Sequence, residues 1–302
     1  MRRCLIAGLL TFAVGPAAAA QAAPIRHTVT AGAHKLALWE KRAAKPTRAI
    51  LLLHGRTWSG LPDFDLQVPG EQRSLMDALV AKGYAVYALD LPGYGASPRD
   101  ASGWNTPESA MADLTAALRW IADSSKVAVK PALFGWSLGS VTAMFTAQRH
   151  PELISALIMF GWPGVRVAGL APLDTAKKPL RAATTAKAAA EDFIAKGMIS
   201  QKAIDAYVAV ALKADPVKAD WRRTEQWGAL DAKKVVTPTL LLQGELDPIA
   251  DAKAQVDFFT GLGTADKQWV VLKGGDHAAL MEDMQPAFVA AMVAFLERPR
   301  RS

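Results

Sequence analysis

The order of apolar runs along this 302-residue chain predicts an α/β fold, a mostly parallel sheet flanked by helices. Three observations carry the prediction. Strand-like and helix-like patterns alternate through most of the chain. The strand-like runs are continuously apolar, as strands covered on both faces require. The alternation is interrupted once, between Pro163 and about Lys234, by a stretch rich in Ala and Lys.

The first residues stand apart from the fold. Met1-Arg2-Arg3 is basic, Cys4 to Val14 is apolar, Gly15-Pro16 breaks the run, and Ala20-Gln21-Ala22 forms an A-x-A site before Ala23. This is the layout of a secretory signal peptide over residues 1–22, with 23–302 as the mature domain. The apolar run is well short of the ~20 residues that span a bilayer. The expectation is a periplasmic or secreted protein with no membrane anchor after cleavage.

Within the domain, Arg26–Thr30 and His34–Lys41 read as a hairpin turned at Ala31-Gly32-Ala33. Ala49–Leu53 is a buried strand ending at His54-Gly55. A helix follows over about Ser74–Lys82, stopped by Gly83, and Tyr84–Leu89 is the next strand. Thr106 caps a helix that starts at Pro107 and runs to about Asp123. Pro131–Phe134 is a short strand, Leu138–Arg149 the helix leaving it, and Leu153–Phe160 is apolar throughout. In the interruption, Thr185–Lys196 and Ser200–Leu212 have helical spacing. Strands return at Pro238–Gln243 and Gln268–Leu272, and Pro286–Glu297 is a closing amphipathic helix. The stretch 163–234 therefore reads as a helical cap inserted between two strands.

Composition narrows the chemistry. Cys4 is the only cysteine, so the mature chain has neither a disulfide framework nor a thiolate metal site. The formal net charge is +7, with two of the arginines in the leader. The other basic residues are scattered, with small clusters at Lys177-Lys178-Arg181 and at Arg298, Arg300 and Arg301. No basic stripe interleaved with aromatics points to nucleic acid.

Gly135-Trp136-Ser137-Leu138-Gly139 fits G-x-S-x-G. Chance supplies such a match about once in ten chains this long, so context decides. Here a strand enters the motif and a helix leaves it, as a nucleophile elbow requires. A serine hydroxyl needs a base to take its proton, and that base needs an orienting group. Of five histidines, His27 and His34 lie on the first hairpin, His54 ends a strand beside Gly55, and His150 ends a helix before Pro151. His277 alone follows a sheet strand in a loop, Gly274-Gly275-Asp276-His277. Asp247, in the turn after Leu240–Gln243, supplies the carboxylate, with Glu245 and Asp276 as local competitors. The order Ser137, Asp247, His277 is nucleophile, acid, base.

These elements, with His54-Gly55 and the Asp90–Ser97 loop of D-x-P-G-x-G-x-S form, resemble the α/β-hydrolase superfamily across the mature chain. The resemblance implies eight mostly parallel strands, a cap after the sixth, and an active site between cap and sheet edge. It also implies an oxyanion hole from the backbone N–H groups of Arg56 and Leu138. Trp58, Trp136 and Trp162 are candidates to line an apolar cleft, as are Trp221 and Trp227 in or beside the cap. The expected activity is hydrolysis of a small, apolar carboxylic ester through an acyl-enzyme, with no metal or organic cofactor. The alternatives are an amidase or aminopeptidase using the same triad, or a ligand-binding protein that keeps the fold.

Overall fold

The computed structural model describes residues 22–164 and 177–299. Residues 1–21 of the expected signal peptide, residues 165–176 of the expected cap and Arg300 and Arg301 of the tail cluster lie outside the described residues.

Eight strands form one sheet: β1 (Ile25–Ala31), β2 (His34–Arg42), β3 (Arg48–Leu53), β4 (Tyr84–Leu89), β5 (Ala132–Trp136), β6 (Leu157–Phe160), β7 (Thr239–Gly244) and β8 (Lys267–Leu272). Their spatial order is β1-β2-β4-β3-β5-β6-β7-β8. β2 is antiparallel to both neighbours, and every other pairing is parallel. This is the mostly parallel eight-stranded sheet that the sequence predicts.

The alternation of side chains across each strand feeds two cores. Phe134, Ile158, Leu240 and Leu242 pack on one face with Phe64 and Phe288. Leu133, Leu157 and Leu241 pack on the other with Leu51, Leu118 and Met144. Strands β4 to β7 are buried along their whole length, which explains their uniform apolar character. The edge strand β8 is half-exposed.

Helices flank the sheet: α1 (Gly60–Phe64), α2 (Leu75–Val80), α3 (Pro107–Ser124), α4 (Leu138–Arg149), α5 (Ala186–Ala190), α6 (Gln201–Ala214), α7 (Ala252–Gly261) and α8 (Gln285–Glu297). Thr106 caps α3, with a reciprocal bond from Ser109 and Pro107 in the first turn. The Ser74 and Ser200 hydroxyls cap α2 and α6 by accepting from the N–H groups of Asp77 and Ala203.

Between β6 and β7 the described residues contribute no strand to the large sheet. They form α5, α6 and two 3-10 turns instead. The segment is tied down by Asp220–Trp221, which pairs with Trp104–Asn105.

Four elements differ from expectation. The helix expected over Thr185–Lys196 stops at Ala190, because the N–H groups of Ile194 and Ala195 donate to the Asp276 carboxylate instead of to preceding carbonyls. The run Leu153–Phe160 begins as a 3-10 turn over Pro151–Leu153 and enters the sheet only at Leu157. Helices α1 and α7 have no counterpart among the expected elements.

Candidate active site

Parallel pairing brings the carboxyl ends of five strands to one rim. Leu53 lies opposite Gly135, Trp136 opposite Phe160, Leu242 opposite Phe160, and Gly244 opposite Leu272. The residues that follow these ends build the site.

Ser137 occupies the turn from β5 into α4 with φ 54° and ψ −121°, a conformation that side chains rarely adopt. The turn is held from several directions. The Ser137 N–H donates to the Phe160 carbonyl (2.9 Å), and the Ser137 carbonyl accepts from the N–H and hydroxyl of Ser140 (2.9 and 2.6 Å). Backbone contact explains the flanking glycines. A Cβ at Gly139 would stand 2.4 Å from the carbonyl oxygens of Leu53 and His54, and one at Gly135 would stand 2.3 Å from that of Gly139.

His277 and Asp247 leave adjacent strands, β8 and β7. The imidazole Nδ1 donates to Asp247 Oδ2 at 2.9 Å, and both residues are buried. Asp247 Oδ1 accepts from the Ile249 N–H (2.9 Å), which fixes the carboxylate. With the proton on Nδ1, Nε2 is the nitrogen free to accept one. The Trp136 indole donates to the His277 carbonyl (2.7 Å), and Phe160 stacks on the imidazole with centroids 6.4 Å apart. Ser137 and His277 line the same cavity, of about 480 Å³.

Leu138, the first residue of α4, and Arg56 line that cavity too. The Arg56 backbone is pinned by a relay: the Tyr94 hydroxyl donates to its carbonyl (2.6 Å) and itself accepts from the Trp221 indole (2.8 Å). His54 donates from Nδ1 to the Gly55 carbonyl (2.8 Å) and accepts at Nε2 from the Leu91 N–H (3.2 Å). Burial pushes its pKa down to about 4, so it is a neutral structural residue.

The competitors for the acid's position are engaged elsewhere. Asp276 accepts from Ile194, Ala195 and Ala278, and Glu245 accepts from the Gly274 N–H. The other histidines pair away from the cavity, His27 with Glu40, His34 with Asp113 and His150 with Glu152.

Of the five tryptophans expected at the cleft, Trp58 and Trp136 line it. Trp162 does not: it packs on Phe258 with centroids 4.4 Å apart. Trp221 and Trp227 are buried against each other in the core. The lining also departs from the purely apolar cleft expected, since Asp63 and Asp192 belong to it. Asp63 is fully buried and accepts from the Tyr207 hydroxyl (3.0 Å); burial pushes its pKa well above the usual carboxylate range. Asp192 is raised to about 6 by burial, offset in part by the nearby His277 and a bond from Trp58. Sequence reasoning missed both, and no local pattern marks them. Among the described residues no cluster of three or more His, Cys, Asp or Glu side chains is arranged for a metal.

Comparison with known proteins agrees with this architecture. A hydrolase from Pseudomonas aeruginosa PA01 superposes with a TM-score of 0.68 at 18% identity, covering 90% of this chain and 98% of its own. A serine hydrolase involved in carbazole degradation gives 0.65 at 20% identity, covering 91% and 99%. Identities this low speak to the fold. Among curated proteins, the pimeloyl-[acyl-carrier protein] methyl ester esterase of Edwardsiella ictaluri (strain 93-146) is 33% identical over 129 residues. That match spans 39% of this chain and 42% of the relative's length. The family model described as serine aminopeptidase, S33, matches residues 44–284. The chain therefore belongs to the serine aminopeptidase S33 family of α/β-hydrolases.

Proposed function

We propose that the protein is an exported serine hydrolase that cleaves carboxylic esters through Ser137, His277 and Asp247. The observation that carries the reading is the Asp247–His277 bond at 2.9 Å, in a cavity shared with a serine held at positive φ. His277 Nε2 takes the hydroxyl proton as Ser137 Oγ bonds to the ester carbonyl carbon. Asp247 holds the tautomer and stabilises the imidazolium. The N–H groups of Arg56 and Leu138 receive the oxyanion, each contributing about 3–4 kcal/mol to the transition state. Collapse breaks the carbon–alkoxy bond, and the alcohol leaves with the proton from His277. Water, deprotonated by His277, then attacks the acyl-enzyme, releasing the acid and restoring the serine. The partial relative named as a methyl ester esterase supports the ester assignment.

One observation favours a second reading, cleavage of an amide beside a free amino group. Asp192, with a pKa of about 6, places an ionised carboxylate in the cavity wall at neutral pH, a setting complementary to an ammonium. Fluorophosphonate labelling and paired substrates decide among the readings. The ester reading expects labelling at Ser137 and faster turnover of p-nitrophenyl esters than of aminoacyl p-nitroanilides. Faster anilide turnover would favour the peptidase, and an unlabelled serine would leave only a binding protein. Export is tested by mass spectrometry of protein from periplasm or medium, with Ala23 expected as its first residue.

A further inference from the structure

A second cavity, of about 280 Å³, adjoins the catalytic one, and Arg56 and Thr57 line both. Its far wall is formed by Leu180, Ala182 and Lys218–Asp220. That wall is firmly built. Ala183 bridges Val217, the Lys218 N–H donates to the Ala182 carbonyl (2.8 Å), and Arg99 donates to the carbonyls of Val217 and Lys218 (3.0 and 2.8 Å).

The charges in this cavity do not balance internally. Asp220 is its one carboxylate, and its oxygens accept from the N–H groups of Leu180 and Arg181 (3.1 Å each), with Arg99 3.8 Å away. Among the described residues, neither the Arg56 guanidinium nor the Lys218 ammonium has a hydrogen-bonded carboxylate. Burial of part of the side chain lowers the Arg56 pKa from its ordinary value, while the residue as a whole stays exposed and open to a ligand from solvent. Asp63 and Asp192 line only the catalytic cavity. A guanidinium fork matches the two oxygens of a carboxylate, and a lysine nearby adds a point charge.

We propose that this second cavity is an anion subsite, and that the preferred substrate is a half-ester of a dicarboxylic acid. Its free carboxylate sits between Arg56 and Lys218 while its ester carbonyl lies at Ser137. Arg56 thereby serves both ends of the substrate, its backbone N–H at the oxyanion and its side chain at the carboxylate. The spacer between the two substrate groups matches the reach of an arginine side chain. The inference rests on the ester hydrolase reading above.

The test compares kcat/KM for monomethyl and dimethyl esters of dicarboxylic acids from malonate to suberate. The half-ester is expected to exceed the diester by about tenfold at the best spacer length. Salt should lower that ratio. Arg56→Gln and Lys218→Gln should bring it towards unity, and Arg56→Lys should retain part of it. The ratio is taken within each variant, so a general loss of activity cancels. Diester preference at every length, or a ratio that neither variant moves, overturns the anion subsite alone. Absence of turnover together with an unlabelled Ser137 overturns the hydrolase reading and this one with it. If Ser137 labels without ester turnover, protection from labelling by free glutarate, lost in Lys218→Gln, supports the subsite, and absence of protection overturns it.

Discussion

The backbone of Gly161 lies directly against the His277 imidazole: a Cβ there would stand 2.6 Å from Cε1 and 2.8 Å from Nδ1. The same Cβ would be 3.4 Å from Asp247 Oδ2, and the residue has φ +59°. The residue that follows β6 thus shapes the slot in which the His277 imidazole is held.

Gly161→Ala should therefore displace the imidazole from Asp247. The expected result is a fall in kcat of about a hundredfold, the scale of loss when a reacting group is misplaced by about 1 Å. Stopped assays, with circular dichroism to establish folding, check it. Activity within twofold of wild type would mean the slot tolerates the methyl group.

Asp247 bonds to the His277 imidazole and Asp276 precedes His277 in the chain, and the two should respond differently to amidation. Asp247→Asn should lower kcat by about 10⁴, since an amide favours the wrong tautomer. Asp276→Asn should act mainly on the attachment of residues 194–195, seen as faster amide exchange there, with the smaller effect on kcat. Reversed magnitudes would reassign the acid.

Tyr94→Phe removes the hydroxyl that holds the Arg56 carbonyl and receives the Trp221 indole. The buried Trp221 indole and the part-buried Arg56 carbonyl each lose a partner, a cost of about 1–3 kcal/mol in stability. If the Arg56 N–H receives the oxyanion as proposed, kcat should also drop by about tenfold with little change in KM. Chemical denaturation and steady-state kinetics separate the two effects.

Glu282 supplies a stability test. Burial first, and the Asp276 charge second, push its pKa up to about 8 from 4.5. The native state then holds more protons than the unfolded one between these values, so stability falls as pH rises through that window. Glu282→Gln should match wild type below pH 4.5 and exceed it above pH 8, by on the order of a few kcal/mol. A difference between the two unfolding curves that does not grow with pH would mean Glu282 titrates normally.

Much of this was legible in the amino-acid order, and the reasons differ by element. Tyr84–Leu89 and Leu138–Arg149 coincide with the strand and helix expected, because uniform burial marks the first and the elbow and Pro151 delimit the second. The end of α5 was not legible: it depends on Asp276, more than eighty residues later, capturing two amide groups. Trp162 was misplaced because an aromatic beside a strand end gives no sign of which side it packs on. Asp63 and Asp192 were missed for a related reason. Their meaning comes from Tyr207 and from the cavity they share, and each alone looks like any surface aspartate.

The position of β6 has a consequence for how such a protein diversifies. It lies between the strand that leads to Ser137 and the strand that leads to Asp247, and just beyond its tip Gly161 abuts the His277 imidazole and Pro163 lines the cavity. A change at that exit alters the wall of the cavity, while the strand spacing beneath stays fixed. Descendants can thus exchange what they admit without relearning how to cut it.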